Sequence, residues 1–227
     1  MVPQLLRGIR IADFTIHAAG PYATLLLGEL GAEVIRIESG VRLDITRRPH
    51  PVYGRLDVPT FDQVNANKRS VTLNLKMPRG AELAKAIVAR CDVAIENFRP
   101  GVLARLGLDS EALRAVRPGL VMVSISTSGQ EGPERGIAGY APMFSALGGL
   151  GYLTGYPDGP PVELRHAMDH TNGLMGAFAV LAALYHRRLT GEGQSVDLSM
   201  REVAASFIGD ALLACAATGE VPGRLGN

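Results

Sequence analysis

Cysteine, net charge and long apolar runs are all scarce in these 227 residues. The two cysteines, Cys91 and Cys215, lie too far apart for a metal or disulfide pattern. Cys91 precedes the strand-like "VAI" and Cys215 sits in "ALLACAA", so both read as small core residues. A formal net charge of +1 offers no global attraction for nucleic acid or a membrane surface, so any anion site must be local. The longest apolar stretches run about 13 to 14 residues, one of them interrupted by Asp210, against the ~20 a bilayer span needs. The opening "MVPQLLRGIRIADF" lacks the apolar core of a secretory leader. A soluble, cytoplasmic protein is expected, with neither membrane nor nucleic acid as partner. The fingerprint G-x-G-x-x-G is missing from the first turn, which has only Gly20, and this argues against NAD.

What is present points to a packed α/β chain. Hydrophobic residues make up 47% and charged residues 20%, and a chain of this size buries roughly 70% of its unfolded surface. β-branched runs alternate with helical segments. "GIRIADFT", "EVIRIE", "SVTLNL", "DVAIENF" and "LVMVSIS" read as strands. "GPYATLLLGELGAE" reads as a helix opening near Pro21 and stopping at Gly31. "MPRGAELAKAIVARC" is a helix with Pro78 in its first turn, and "DSEALRAV" one capped by Asp109 or Ser110. Strands joined by helices imply right-handed crossovers, hence a Rossmann-like, doubly wound, mostly parallel sheet.

Residues 39–66 break the rhythm with three prolines, and "STSGQEGPERGIAGYAPM" forms a second irregular stretch. Ligands of such sheets bind outside the carboxyl ends of the strands, where residues 15–21, 96–101 and 126–130 should meet. "ENFRPGVLARLG" places Arg99 and Arg105 around a turn that opens a short helix, an arrangement suited to phosphate, although taken alone the pair reads first as solvated arginines.

"HAMDHTNG" puts His166, Asp169 and His170 on one face at the start of the apolar "LMGAFAVLAALYHRR". That spacing fits a metal site, a nucleophile or an ordinary helix start. A metal needs a further ligand, and His186 follows only 16 residues later, roughly 24 Å along the helix. A carboxylate there faces the positive end of the helix macrodipole, which should keep it ionised. Gly173 and Gly176 suggest close approach to neighbouring elements, and Gly191 a helix end.

Five blocks, in order, resemble the class III coenzyme A transferases, also called the carnitine dehydratase and bile-acid-inducible CoA-transferase family. They are "LRGIRIADFT…AAGPYATLLLGELGAEVIRIE", "NANKRSVTLNLK", "ENFRPGVLARLGL", "VSISTSGQEGP" and "TGYPDGPPVE…DHTNGLMGAFAVLAALYHRRLTGEGQSVDLSM". The resemblance runs from about residue 5 to the end. It implies that Asp169 is the nucleophile in exchange of coenzyme A between an acyl-CoA and a carboxylic acid, through an aspartyl-CoA intermediate. It also implies a coenzyme A site lined by His17, Ala18, Leu73, Lys76, Asn97, Phe98, Arg99, Arg105 and Leu106. Lys76, Arg99 and Arg105 would meet phosphates, while Phe98 and Leu106 would pack against adenine or the pantetheine arm. No permanently bound cofactor is implied, only coenzyme A and acyl-CoA as substrates.

Two departures bear on the activity. Some family members carry glutamine where this chain has Ala18, with His17 beside it. The related α-methylacyl-CoA racemases place a histidine where the aligned "AGYAPMF" has Tyr140. Racemisation, which needs a base and an acid on opposite faces of the α-carbon, is therefore the second reading. A non-catalytic CoA-binding or structural subunit is a third. Family members run to about twice this length. The expectation is one large-domain portion, residues 1–200 as core and 201–227 as a terminal helix leading toward a second domain. It should work as a homodimer or with a second CoA-transferase chain.

Overall fold

The computed structural model describes residues 4–48 and 59–226. The β-branched runs become β1 (Arg10–Asp13), β2 (Glu33–Glu38), β3 (Arg69–Thr72), β4 (Val93–Glu96) and β5 (Val121–Ser126), joined by β6 (Ser195–Ser199). They form one sheet in the order β3-β2-β1-β4-β5-β6, with every pair parallel. The chain order reverses between β1 and β4, the switch point beside which such sheets hold their ligands.

The helices are α1 (Ala19–Glu29), α2 (Pro59–Asn65), α3 (Pro78–Val88), α4 (Val102–Arg105), α5 (Ser110–Val116), α6 (Ala141–Leu147), α7 (Leu150–Leu153), α8 (His166–Thr190), α9 (Met200–Ser206) and α10 (Gly209–Thr218). Two apolar layers cover the sheet. On one face Ile11, Val93, Ile95, Val123 and Ile125 pack against Ala23 and Leu27 of α1 and Ala177 and Val180 of α8. On the other, Ala12, Ala94 and Met122 pack against Ala84 and Val88 of α3 and Leu113 of α5. Alternate residues of each strand thus serve opposite layers, as the two-residue period requires.

Local signals explain the boundaries. Pro78 opens α3, where its missing N–H costs nothing. Asp109 caps α5, its carboxylate accepting the Ala112 N–H at 2.9 Å. Gly191, at φ 82°, closes α8 in the left-handed conformation glycine adopts freely. Gly173 and Gly176 let α8 lie directly on its neighbours. A Cβ at Gly173 would stand 2.6 Å from the Ala19 carbonyl oxygen, and one at Gly176 2.7 Å from Ile125 Cδ1.

Three expectations need correction. β6, "SVDLS", has no place among the strands read above: it is a short, half-exposed edge strand that gains its order from pairing with β5. The third strand ends at Thr72, two residues after which Asn74 begins the turn into α3. The terminal segment 201–218 is two helices, because the chain breaks at Phe207 and Ile208 before Gly209 opens α10. Of the long excursion 39–66, part lies outside the described residues. The rest holds a short 3-10 turn, Ile45–Arg47, and α2. Among the described residues no helix is long and apolar enough to cross a membrane.

Candidate active site

A cleft of about 830 Å³ opens at the carboxyl edge of the sheet beside the switch point. Its walls come from all three segments expected to meet there: Ile16, His17 and Ala19 after β1, Asn97 to Pro100 after β4, and Ser126 and Thr127 at the end of β5. Tyr140, Met143 and Phe144 of the α6 region close one side, Arg42 another, and Asp169 completes the lining.

The turn after β1 is held by side chains from three places. The Thr15 N–H donates to Asp13 Oδ1 at 2.9 Å, Ile16 N–H to Asn97 Oδ1 at 2.8 Å and His17 N–H to Asp44 Oδ2 at 3.1 Å. Asn97 Nδ2 also donates to the Ile16 carbonyl at 2.8 Å, so both ends of its amide clamp one residue. In a dinucleotide-binding fold the amides of this turn are free to meet phosphate. Here three in succession are occupied, and this gives the missing glycine fingerprint a physical meaning.

Behind the turn lies a buried charge lattice. Asp13, fully buried, accepts Thr24 Oγ1 at 2.7 Å and Lys68 Nζ at 3.2 Å, with Arg36 at 3.8 Å. Lys68 also donates to the Pro21 carbonyl and to Asn65 Oδ1. Arg36 reaches Asp44 at 2.7 Å, which ties the loop after β2 to the same lattice. Burial alone would raise the Asp13 pKa, but Lys68, Arg36 and the two threonine hydroxyls outweigh it and hold it below the usual value. Burial pulls Lys68 down to about 8, with Asp13 opposing.

This lattice fixes His17, whose backbone sits at φ 67°, a region non-glycine residues rarely occupy. The imidazole faces the cleft and meets the Tyr140 ring edge-on at 5.4 Å. Burial lowers its pKa; Asp44 opposes this while Arg42 and Arg48 add to it, so the surroundings favour the neutral ring.

Asp169 lies in the first turn of α8, half-buried, and its carboxylate has no hydrogen bond among the described residues. Packing around the helix end acts on it against the macrodipole. Burial raises its pKa above the ordinary value, and the neighbouring His166 and His170 only partly offset that. The His170 Nδ1 is engaged with the His166 carbonyl at 2.7 Å and its ring meets Tyr22 edge-on at 4.6 Å. Among the described residues no three His, Cys, Asp or Glu side chains converge as metal ligands would.

The other residues singled out above fall in two groups. His17, Asn97, Phe98 and Arg99 share the cleft with Asp169. Leu73, Lys76, Arg105 and Leu106 do not line it, and neither does Ala18, although it stands between two residues that do. Leu73 lies in a separate groove of about 450 Å³ against α3, Lys76 is exposed just before α3, and Leu106 packs with the layer beneath Phe98. Arg105 is exposed on α4, its guanidinium close to Gly101, which takes φ 78° at the turn. Sequence reasoning missed Arg42, Met143 and Phe144. No short-range signal marks them, because long connections bring them to the cleft.

Comparison with known proteins agrees with this architecture. The profile of CoA-transferase family III matches residues 6–227. The chain is 42% identical over 199 residues to a succinyl-CoA–L-malate CoA-transferase beta subunit from Chloroflexus aurantiacus, covering 87% of this chain and 49% of that one. It is 41% identical over 212 residues to a succinyl-CoA:glutarate CoA-transferase from Mus musculus, covering 89% and 49%. A crystal structure of a CAIB/BAIF family protein from Brucella suis superposes with a TM-score of 0.91 at 36% identity, over 98% of this chain and 60% of that one. The chain thus spans about half the length of the curated relatives it matches. On profile, sequence and fold together, this chain belongs to CoA-transferase family III.

Proposed function

We propose that this chain supplies the nucleophile and much of the coenzyme A site of a transferase that exchanges coenzyme A between an acyl-CoA and a carboxylic acid. One observation carries the reading: Asp169, with no hydrogen-bond partner among the described residues, opens into the same cleft as the arginine-bearing turn after β4. A carboxylate is a modest nucleophile, but a thioester is a reactive acyl electrophile, and a covalent intermediate divides the exchange into easier steps. Partial burial suits Asp169 to attack, since a less hydrated carboxylate gives up less solvation on reaching the thioester.

Arg99 and Arg105 would take phosphates at the open turn. Phe98 and Leu106 would meet the nucleoside end or the pantetheine arm, with Leu73 and Lys76 farther along an extended ligand. His17 would form the rim nearest the reacting carbonyl, with Ala18 just behind it, and Asn97 would act by holding that rim in place. The names of the relatives above favour a short dicarboxylic acid as acceptor, and Arg42 on the cleft wall is the cation best placed for its second carboxylate. A cytoplasmic enzyme with access to acyl-CoA fits this chemistry.

The exposed apolar residues argue for a further polypeptide surface. Leu174, Phe178, Tyr185 and Leu189 recur along the outer face of α8, and α10 exposes Leu212 and Leu213. A second copy of the chain, or a second transferase chain, would cover them. The test is exchange between succinyl-CoA and glutarate or malate, assayed for the protein with such chains present. D169N should abolish turnover and leave coenzyme A binding unchanged. Turnover by D169N at the unaltered rate would remove Asp169 from the chemistry.

A further inference from the structure

Of the buried side-chain atoms with no hydrogen-bond partner among the described residues, Ser126 Oγ alone belongs to a residue that lines the cleft. Ser126 is 4% exposed at the carboxyl end of β5. A buried hydroxyl left unpaired is costly, and each such group calls for an explanation, a catalytic or ligand-binding role being one. Thr127, the next residue, shows the ordinary alternative, because its Oγ1 accepts the Gly139 N–H at 3.1 Å.

Ser126 and Asp169 line the same cleft. Gly173 seats α8 on the Ala19 carbonyl and Gly176 seats it on Ile125, the neighbour of Ser126. The first turn of α8, with Asp169, therefore overhangs the start of α1, while Ser126 reaches the cleft from the end of β5. The start of α1 has no side-chain cap and no acidic residue in its first turn, so its positive end also faces the cleft through Ala19.

We propose that the Ser126 hydroxyl, supported by the amino end of α1, binds the thioester carbonyl oxygen opposite Asp169 and stabilises the negative charge that develops there. This rests on the transferase reading above. An Asp169 carboxylate oxygen bonds to the thioester carbon, and the carbonyl π pair moves onto the oxygen, which accepts the Ser126 O–H hydrogen bond. Collapse of that oxyanion restores the carbonyl and expels the coenzyme A thiolate, leaving an acyl–aspartyl anhydride. The thiolate then attacks the aspartyl carbon and releases the donor acid as its carboxylate. No proton leaves Ser126 at any step.

The test uses S126A beside the unsubstituted protein, with succinyl-CoA carrying 13C at its thioester carbonyl. The readouts are the rate of hydroxylamine-trapped labelling at Asp169, the infrared carbonyl stretch of the bound thioester, and coenzyme A affinity. Labelling should slow on the order of 100-fold, as for loss of one oxyanion donor. The carbonyl stretch, lowered on binding to the unsubstituted protein, should return toward its free value, with affinity and melting temperature unchanged. Equal labelling rates in the two proteins would overturn the Ser126 role and leave Asp169 standing. Parallel loss of affinity and folding in S126A would overturn it in favour of a packing role. If succinyl-CoA binds without labelling Asp169, the transferase reading fails and the carbonyl stretch still decides for or against Ser126. Absence of binding would remove both.

Discussion

Two turns at the carboxyl edge of one sheet are built on opposite principles. The turn after β1 is closed: Asp13, Asn97 and Asp44 occupy its successive amides, and buried Lys68 and Arg36 stand behind it. The turn after β4 is open, carrying the exposed Arg99 and a left-handed Gly101, with Arg105 exposed just beyond. The first commits three successive amides to side chains; the second commits one, Phe98 N–H to Glu96 at 2.7 Å, and leaves its arginines exposed. On the proposed reading, anion recognition is displaced one strand from the place where dinucleotide-binding folds put it.

The largest effect that could break this comparison belongs to the closed turn. Asp13→Ala would leave Lys68 and Arg36 buried without their shared carboxylate, and about 3–5 kcal/mol of stability should be lost in chemical denaturation. Arg99→Ala should cost under about 0.5 kcal/mol in the same measurement. Comparable losses for the two would mean that the open turn is structural after all.

The ligand side sharpens the contrast. Arg99→Ala and Arg105→Ala should each weaken coenzyme A binding by about 1.5–3 kcal/mol in calorimetry, the range for a hydrogen bond to a charged group. Unchanged affinity in both would make "ENFRPG" an ordinary turn.

The seat of α8 is the next point to probe. Gly173→Ala would drive a methyl group into the Ala19 carbonyl, a backbone contact that cannot swing aside. A loss of about 1–3 kcal/mol is expected, with Asp169 carried away from the start of α1. Unchanged stability and unchanged labelling of Asp169 would mean that the helix tolerates a looser seat.

The two turns also hold two buried carboxylates of opposite character. Asp13 is kept below its ordinary pKa by its cations, so its contribution to stability is lost as pH falls through that lowered value. Glu96 is pushed up to about 7 by burial. Hydrogen bonds to Ser124 and the Phe98 N–H oppose this, and nearby Asp197 adds to it. Between about pH 4.5 and 7 the folded protein holds a proton at Glu96 that the unfolded chain has released, so this group lowers stability as pH rises. Glu96→Gln should flatten the melting-temperature profile in that window and leave the more acidic limb, set by groups such as Asp13, unchanged. An unaltered slope would show that Glu96 does not titrate there.

How far the sequence discloses this arrangement depends on distance along the chain. The parallel sheet was legible because "EVIRIE", "DVAIEN" and "LVMVSIS" are locally unmistakable, and Pro78 and Asp109 mark helix starts by local chemistry. β6 was not, since its order comes from β5, some 70 residues earlier in the chain. Lys68 illustrates the harder case: within "NANKRSV" it resembles any surface lysine, and only the fold carries it 55 positions back to Asp13. Ser126 likewise has no signal of its own, being defined by the absence of a partner among the residues around it. Asp169 was found through resemblance, while the raised pKa that burial gives it follows from packing.

The most direct test of the account is covalent capture at Asp169. The protein, with a second transferase chain where turnover requires one, is incubated with succinyl-CoA, quenched with hydroxylamine and digested for peptide mass spectrometry. The account predicts a hydroxamate at Asp169 that depends on succinyl-CoA and disappears in D169N. A hydroxamate on another residue, or none from a preparation that is turning over, would contradict it.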